Sequence, residues 1–222
     1  MQGILTLRYA IHSPNTVLKN VHPGVIDLTN IRPEVYSSYP KNEHHWTTKW
    51  VWDNFIPRMT SDLGISFSSS DFTLVPCTVD QQDLSYHIPR NDTSIQIGEL
   101  GSTSCQTLKI SELIFNKNFT SPFGATTGYH RLFLYSHRCC WIFNQASKTE
   151  RSLILNTDSM SVPVIPALIP YFRNMLVLDN RTGTSFKKKI AGFISKHFST
   201  LSYVELFIAD SYNFHKYAIN LK

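Results

Sequence analysis

The sequence predicts an α/β fold, a largely parallel sheet flanked by helices, with a β-rich insertion at 65–145. Three observations carry this expectation. From Arg151 onward, apolar runs of strand length alternate with helical patterns. Between 44 and 63, large apolar side chains recur at three-to-four spacing, and between 65 and 145 short alternating segments are separated by Asn, Asp, Gly and Ser clusters. Near-continuous apolar strands alternating with helices signal a parallel sheet covered on both faces. A chain of 222 residues is expected to form one domain, 1–222, with the irregular β-rich stretch inserted in it.

Residues 1–40 are expected to be irregular, because Pro14, Pro23, Pro33 and Pro40 interrupt any long element. One short apolar run there, Gly24-Val25-Ile26-Asp27-Leu28, reads as a buried strand. From His44 to about Leu63, Trp46, Trp50, Phe55 and Met59 mark one helical face, and Pro57 is expected to kink or end the helix. In the middle of the chain, 72–76, 84–88, 108–115 and 131–135 read as strands. The last third reads as strand 152–156, helix 163–172, strand 175–179, helix 185–198 and strand 203–209. Pro163 suits the first turn of its helix.

Composition narrows the function classes. Hydrophobic residues at 42% and aromatics at 13% belong to a globular chain. Charged residues at 17% fall below the usual quarter, so the surface leans on Ser, Thr, Asn and Tyr, a style associated with exported proteins. The net charge of +5 suits an anionic partner, yet the basic residues are scattered, and Lys187-Lys188-Lys189 reads as a solvated helix face. Nucleic-acid binding is not expected. Cys77, Cys105, Cys139 and Cys140 lack CxxC spacing, which argues against zinc. Cys139 and Cys140 are expected to be buried as small apolar groups, and a Cys77–Cys105 bridge is left open. The sequons at Asn91, Asn118 and Asn180 matter only in a eukaryotic secretory setting. No apolar run approaches the roughly 20 residues of a membrane span, and the start of the chain lacks the layout of a signal peptide. Either the protein is cytosolic or an export segment is missing.

Two segments carry the chemistry. Asn42-Glu43-His44-His45-Trp46-Thr47-Thr48 sets an acid and two histidines at a helix start. Leu153-Ile154-Leu155-Asn156-Thr157-Asp158-Ser159 ends an apolar run in Asp-Ser before a second helical pattern. A nucleophile on a strand-to-helix turn and an acid–histidine pair are the parts of an acyl-transfer triad. Ser159 is the candidate nucleophile, with backbone N–H groups beside it for an oxyanion; the alternative is that Asp158 or Ser159 only caps a helix. His45 is the candidate base and Glu43 its orienting acid; the alternative is a helix cap beside partly buried histidines. Arg181 is a candidate for binding an acidic group or an acyl oxygen, or for pairing with Asp179 at the surface. Ser159, Asn180-Arg181 and Asp210-Ser211 all fall just beyond strand ends, where ligands bind in parallel sheets. No H-E-x-x-H spacing supports a metal, and no cofactor is expected. Trp46, Trp50, Trp52 and Trp141 leave open a carbohydrate-binding module, though helical spacing explains the first three as core.

Together these residues resemble a known family. Asn-Glu-His-His-Trp-Thr-Thr resembles the Asp-His-His-Trp-Thr signature of the bacterial DHHW proteins, which are similar to the alginate O-acetyltransferase group of the SGNH/GDSL hydrolase superfamily. Leu-Ile-Leu-Asn-Thr-Asp-Ser-Met-Ser, followed by Pro163, Ile165-Pro166, Phe172 and Leu178-Asp179-Asn180-Arg181, resembles the family's Gly-Asp-Ser block, its next helix, and a strand ending in an acid and an arginine. The resemblance covers 20–60 and 150–215. It implies an SGNH-like sheet, truncated at its N-terminus, with Ser159, His45 and Glu43 catalytic and Arg181, Asp158 and His44 binding substrate. It further implies an esterase or O-acetyltransferase in the periplasm or cell envelope, whose partners are a polysaccharide and an acyl donor. Membrane contact would come only through a segment missing from this chain. Glu43 stands where the family has Asp, and Thr157 where it has Gly, so a catalytically inactive surface-binding relative is the alternative.

Overall fold

The structure, a computed structural model, describes residues 5–11, 25–27, 48–79, 82–100, 104–114, 139–157, 163–179, 192–193, 196 and 203–210. The first strands are β1 (Leu5–Ile11) and β2 (Val25–Asp27). A helical segment follows, made of α1 (Thr48–Trp50), a π-helical turn (Val51–Phe55) and α2 (Ile56–Asp62). Next come β3 (Phe72–Val79), β4 (Gln82–Pro89), β5 (Ser94–Glu99), β6 (Cys105–Lys109) and α3 (Ile110–Ile114). The chain then gives β7 (Cys139–Phe143), β8 (Ser152–Thr157), α4 (Ile165–Leu168), β9 (Asn174–Asp179) and β10 (Tyr203–Asp210).

Eight strands form one mixed sheet in the order β2-β1-β10-β8-β9-β7-β5-β6, and β3 and β4 form a separate antiparallel pair. The five strands from β2 to β9 run parallel. β7, β5 and β6 extend the sheet antiparallel. Three strands of the 65–145 stretch therefore belong to the main sheet, while β3 and β4 stand apart from it.

Several expectations are corrected. The first forty residues are not all irregular: Leu5–Ile11 is a strand between β2 and β10. Its alternating Leu5, Leu7, Tyr9 and Ile11 supply the period of two that a strand needs. Pro57 does not end the helical segment, which runs on to Asp62. The turn just before it is π-helical, with the Ile56 N–H reaching back to the Val51 carbonyl. That wider turn absorbs the register in which proline lacks a donor. The 108–115 strand breaks at Lys109, because Ile110, Leu113 and Ile114 bury one face at helical spacing. Cys105 is a free, exposed thiol, so it makes no bridge to Cys77; it opens β6, whereas Cys77 lies in the separate hairpin. Cys139 and Cys140 are buried as expected, and burial raises the Cys140 thiol well above its ordinary range. The 131–135 strand lies outside the described residues, as does most of helix 185–198.

Both faces of the sheet are covered. On one face Leu153, Leu155, Met175, Val177, Cys140 and Ile142 join a core with Val51, Phe55, Ile56 and Met59 of the first helical segment and with Ile165 and Leu168 of α4. The other face carries Ile154, Leu176, Leu178 and Cys139, against which Trp141 and Phe193 pack. Period-two alternation along β8 and β9 sorts these side chains to the two faces. Each fully buried large side chain contributes about 1.5–3 kcal/mol, which favours one register over its slipped alternatives. Two local devices close α2. Gly64, at φ +64°, sends its N–H to the Ser61 carbonyl while Ile65 N–H reaches Thr60, a Schellman closure. Arg151 Nη1 then donates to the Leu63 carbonyl at 2.8 Å, tying this helix end to the start of β8.

Candidate active site

The parallel register brings the carboxyl ends of the strands to one edge. Thr157 closes β8 opposite Asp179, which closes β9. On the other side of β8, Ile208 of β10 pairs with Thr157, and Asp210 ends β10 opposite Ile11. Asp27 ends β2 opposite Ala10 of β1. The connection leaving β8 leads to β9 on one side, whereas the one leaving β1 leads to β2 on the other. The paths leaving β1 and β8 thus diverge on either side of β10, and that divergence makes this carboxyl edge the crevice where open α/β sheets bind ligands.

Two polar side chains are buried at this edge. Thr157 is 4% exposed and Asp179 is 5% exposed. Asp179 is therefore buried, not at the surface, while Arg181, its alternative partner, lies outside the described residues. The Asp179 carbonyl lies 3.9 Å from the Cys139 thiol, a weak sulfur contact that joins the ends of β7 and β9. Burial of a carboxylate at a strand end costs free energy unless partners compensate it, and Asp179 does interact with its surroundings. Its burial beside the crevice is a feature the sequence concealed, because an Asp at the end of an apolar run reads equally well as an exposed turn residue.

The six candidate residues, Ser159, His45, Glu43, Arg181, Asp158 and His44, all lie outside the described residues. What the fold positions is their flanks. Asp158 and Ser159 follow Thr157 directly in sequence, and Arg181 comes two positions after Asp179. Glu43, His44 and His45 precede Thr48, the buried first residue of α1. Among the described residues no group of three or more His, Cys, Asp or Glu side chains is arranged to hold a metal ion. No described helix is long and apolar enough to cross a membrane.

Among solved structures, the fold is similar to that of PatB1 from Bacillus cereus in two forms. The structure of PatB1 with a sulfonyl adduct matches at TM-score 0.65 and 17% identity, covering 93% of this chain and 81% of that one. PatB1 itself matches at TM-score 0.65 and 16% identity, covering 94% and 83%. A DHHW family protein from Eubacterium siraeum matches at TM-score 0.58 and 13% identity, covering 94% and 78%. At these identities the likeness establishes a shared fold. No protein-family model matches the chain, and no curated protein does.

Proposed function

We propose that this chain is an SGNH-like serine acyltransferase or esterase of the DHHW kind, acting on O-acyl groups of a cell-surface polysaccharide outside the cytoplasm. The observation that carries the reading is the course of β8. This strand, buried along nearly its whole length, is central in the parallel sheet and ends at Thr157, in the crevice, with Asp158-Ser159 next in the chain. The first helical segment adds support. Residues 48–62 rise about 22 Å, close to the roughly 20 Å of a six-residue strand, and their far end is tied to the start of β8 through Arg151. In this reading the segment runs back along the strands, so that the residues preceding Thr48 meet the turn after β8 at the carboxyl edge. PatB1, which shares the fold, bears a sulfonyl adduct, and such an adduct forms when an activated nucleophile displaces a leaving group at sulfur.

In this reading Ser159 Oγ attacks the acyl carbonyl while His45 takes its proton, and Glu43 orients the ring and stabilises the imidazolium. Backbone N–H groups of the turn after β8, that of Ser159 among them, receive the oxyanion. His45 returns the proton to the departing alcohol, leaving an ester on Ser159. A polysaccharide hydroxyl or water then attacks that ester by the same route and restores the serine. Arg181, Asp158 and His44 bind substrate around the reacting group.

The test is turnover of p-nitrophenyl acetate by the wild type and its loss in Ser159→Ala. A second reading, an inactive relative that binds polysaccharide without turning it over, is favoured by Thr157. Its side chain is buried at the strand end where the resembling family has Gly, leaving less room for the turn to approach substrate. A folded wild type without ester turnover supports that second reading and removes the first.

A further inference from the structure

A second cleft lies at the opposite edge of the sheet, where β8 and β9 begin. Its volume is about 160 Å³, close to the ~150 Å³ of a cavity that holds one six-membered ring. Pro89, Ile110 and Pro170 give it an apolar wall, and Arg90, Asn91, Thr93 and Lys148 give it polar groups. The backbone holds the cleft in shape. Arg90 N–H donates to the Asp71 carbonyl at 2.8 Å, Thr93 N–H to Asn91 at 2.9 Å, and Lys148 N–H to Pro170 at 2.7 Å. Asp92 clamps the same turn by accepting from the Ser111 N–H and hydroxyl at 2.9 and 2.6 Å.

The charges at the mouth do not cancel. Asp71 is engaged: its Oδ2 accepts from Lys148 Nζ at 2.6 Å and from the Tyr171 hydroxyl at 3.2 Å. Lys148 also stands 5.0 Å over the Tyr171 ring. Arg90 is held by one bond, from Nε to the Ser70 carbonyl at 2.8 Å. Its two terminal nitrogens have no partner among the described residues. Among the side chains that line the cleft there are two cations and one carboxylate, the nearby Asp92 being held by Ser111. The uncommitted donors of Arg90 form a planar fork suited to an oxyanion. Amide and hydroxyl groups beside proline rings suit a hydroxylated ring, whose polar edge needs hydrogen bonds and whose C–H face needs apolar contact.

We infer that this cleft is a binding site for an anionic sugar unit, its phosphate or carboxylate on Arg90 and its ring against Pro89 and Pro170. The site is separated by roughly 20 Å of strand from the crevice at Thr157. It stands on the cleft alone and does not depend on Ser159. Titration of the ¹⁵N-labelled chain with glucose 6-phosphate, glucuronate, glucose and inorganic phosphate, followed by NMR, tests it. Saturable shifts centred on Arg90, Asn91, Thr93 and Lys148 are expected with either charged sugar, the two arms distinguishing phosphate from carboxylate as the anion. Glucose alone and phosphate alone are each expected to bind at least tenfold more weakly. Arg90→Gln is expected to weaken binding of the better charged sugar about tenfold or more, since a charged hydrogen bond is lost; the spectrum itself reports that the variant is folded. Lys148→Gln serves as a second variant with the same expectation. No saturable shift in the cleft, shifts centred elsewhere, or phosphate binding as tightly as glucose 6-phosphate overturns the inference.

Discussion

Protonation of His87 offers a quantitative test of the packing between the first helical segment and the β3–β4 hairpin. The His87 ring stacks on Trp52 with centroids 3.7 Å apart and planes 11° from parallel, and its Nδ1 is buried with no hydrogen-bond partner among the described residues. Burial disfavours the imidazolium and holds the ring at a pKa of about 4; Lys49 adds to this and Asp53 opposes it. The unfolded chain titrates near 6.5. Between those values the unfolded state binds the extra proton, so stability rises with pH. The stabilisation is complete above about 6.5 and is lost as pH falls toward 4. At about 1.4 kcal/mol per pH unit the ceiling is about 3.5 kcal/mol. Because the ring is only half-buried, solvent screening reduces this to about 1.5 kcal/mol, of which about 1 kcal/mol is lost by pH 5. Urea denaturation of the wild type and His87→Gln at pH 7.5 and pH 5 isolates this share from other titrating groups. With an m-value of about 2 kcal/mol/M, the wild-type midpoint should fall about 0.5 M further than that of the variant. Equal falls in both proteins, or an NMR titration giving His87 a pKa at or above 6.5, refutes the stacked, desolvated arrangement.

Other substitutions probe the sheet. A Cβ at Gly98 would stand 2.5 Å from Trp141 Nε1, the cross-strand neighbour in β7. Gly98→Ala is therefore expected to cost about 1–3 kcal/mol by overpacking, seen as a lower urea midpoint with unchanged slope; an unchanged midpoint contradicts the register. Phe172 is fully buried in the main core, and the Arg151 guanidinium lies 5.6 Å from its ring centre. Phe172→Ala is expected to cost about 3–5 kcal/mol in the same assay, and a loss under 1 kcal/mol contradicts its placement in the core.

How much was legible in the sequence depended on how many faces an element buries. β8 and β9 were readable because a strand covered on both faces is almost continuously apolar, as Leu153-Ile154-Leu155 and Met175-Leu176-Val177-Leu178 are, and β10 was readable from its own apolar run in the sequence. β1 and β5 were not, because Thr6 and Arg8 in one and Gln96 and Gly98 in the other break the run, and pairing partners distant in sequence decide their state. The boundary at Ile110 was misread because Leu108 and Ile110 fit a strand while Ile110, Leu113 and Ile114 fit a helix, and short apolar runs satisfy both periods. At the site, the carboxyl-edge location of the segment before Ser159 was legible from the strand–helix rhythm alone. The burial of Thr157 and Asp179 was not, since it depends on what neighbouring strands cover. The Arg90 cleft was equally hidden, for it joins the connection between β4 and β5 to residues some 55 positions further on, and no local pattern signals such a meeting.

The most direct test of the central claim is the identity of the side chain that a fluorophosphonate modifies in the purified protein. Peptide mass spectrometry should find the phosphonyl group on Ser159, with labelling abolished in Ser159→Ala and sharply reduced in His45→Ala. A folded wild type that remains unlabelled, or that carries the group on another residue, contradicts the account.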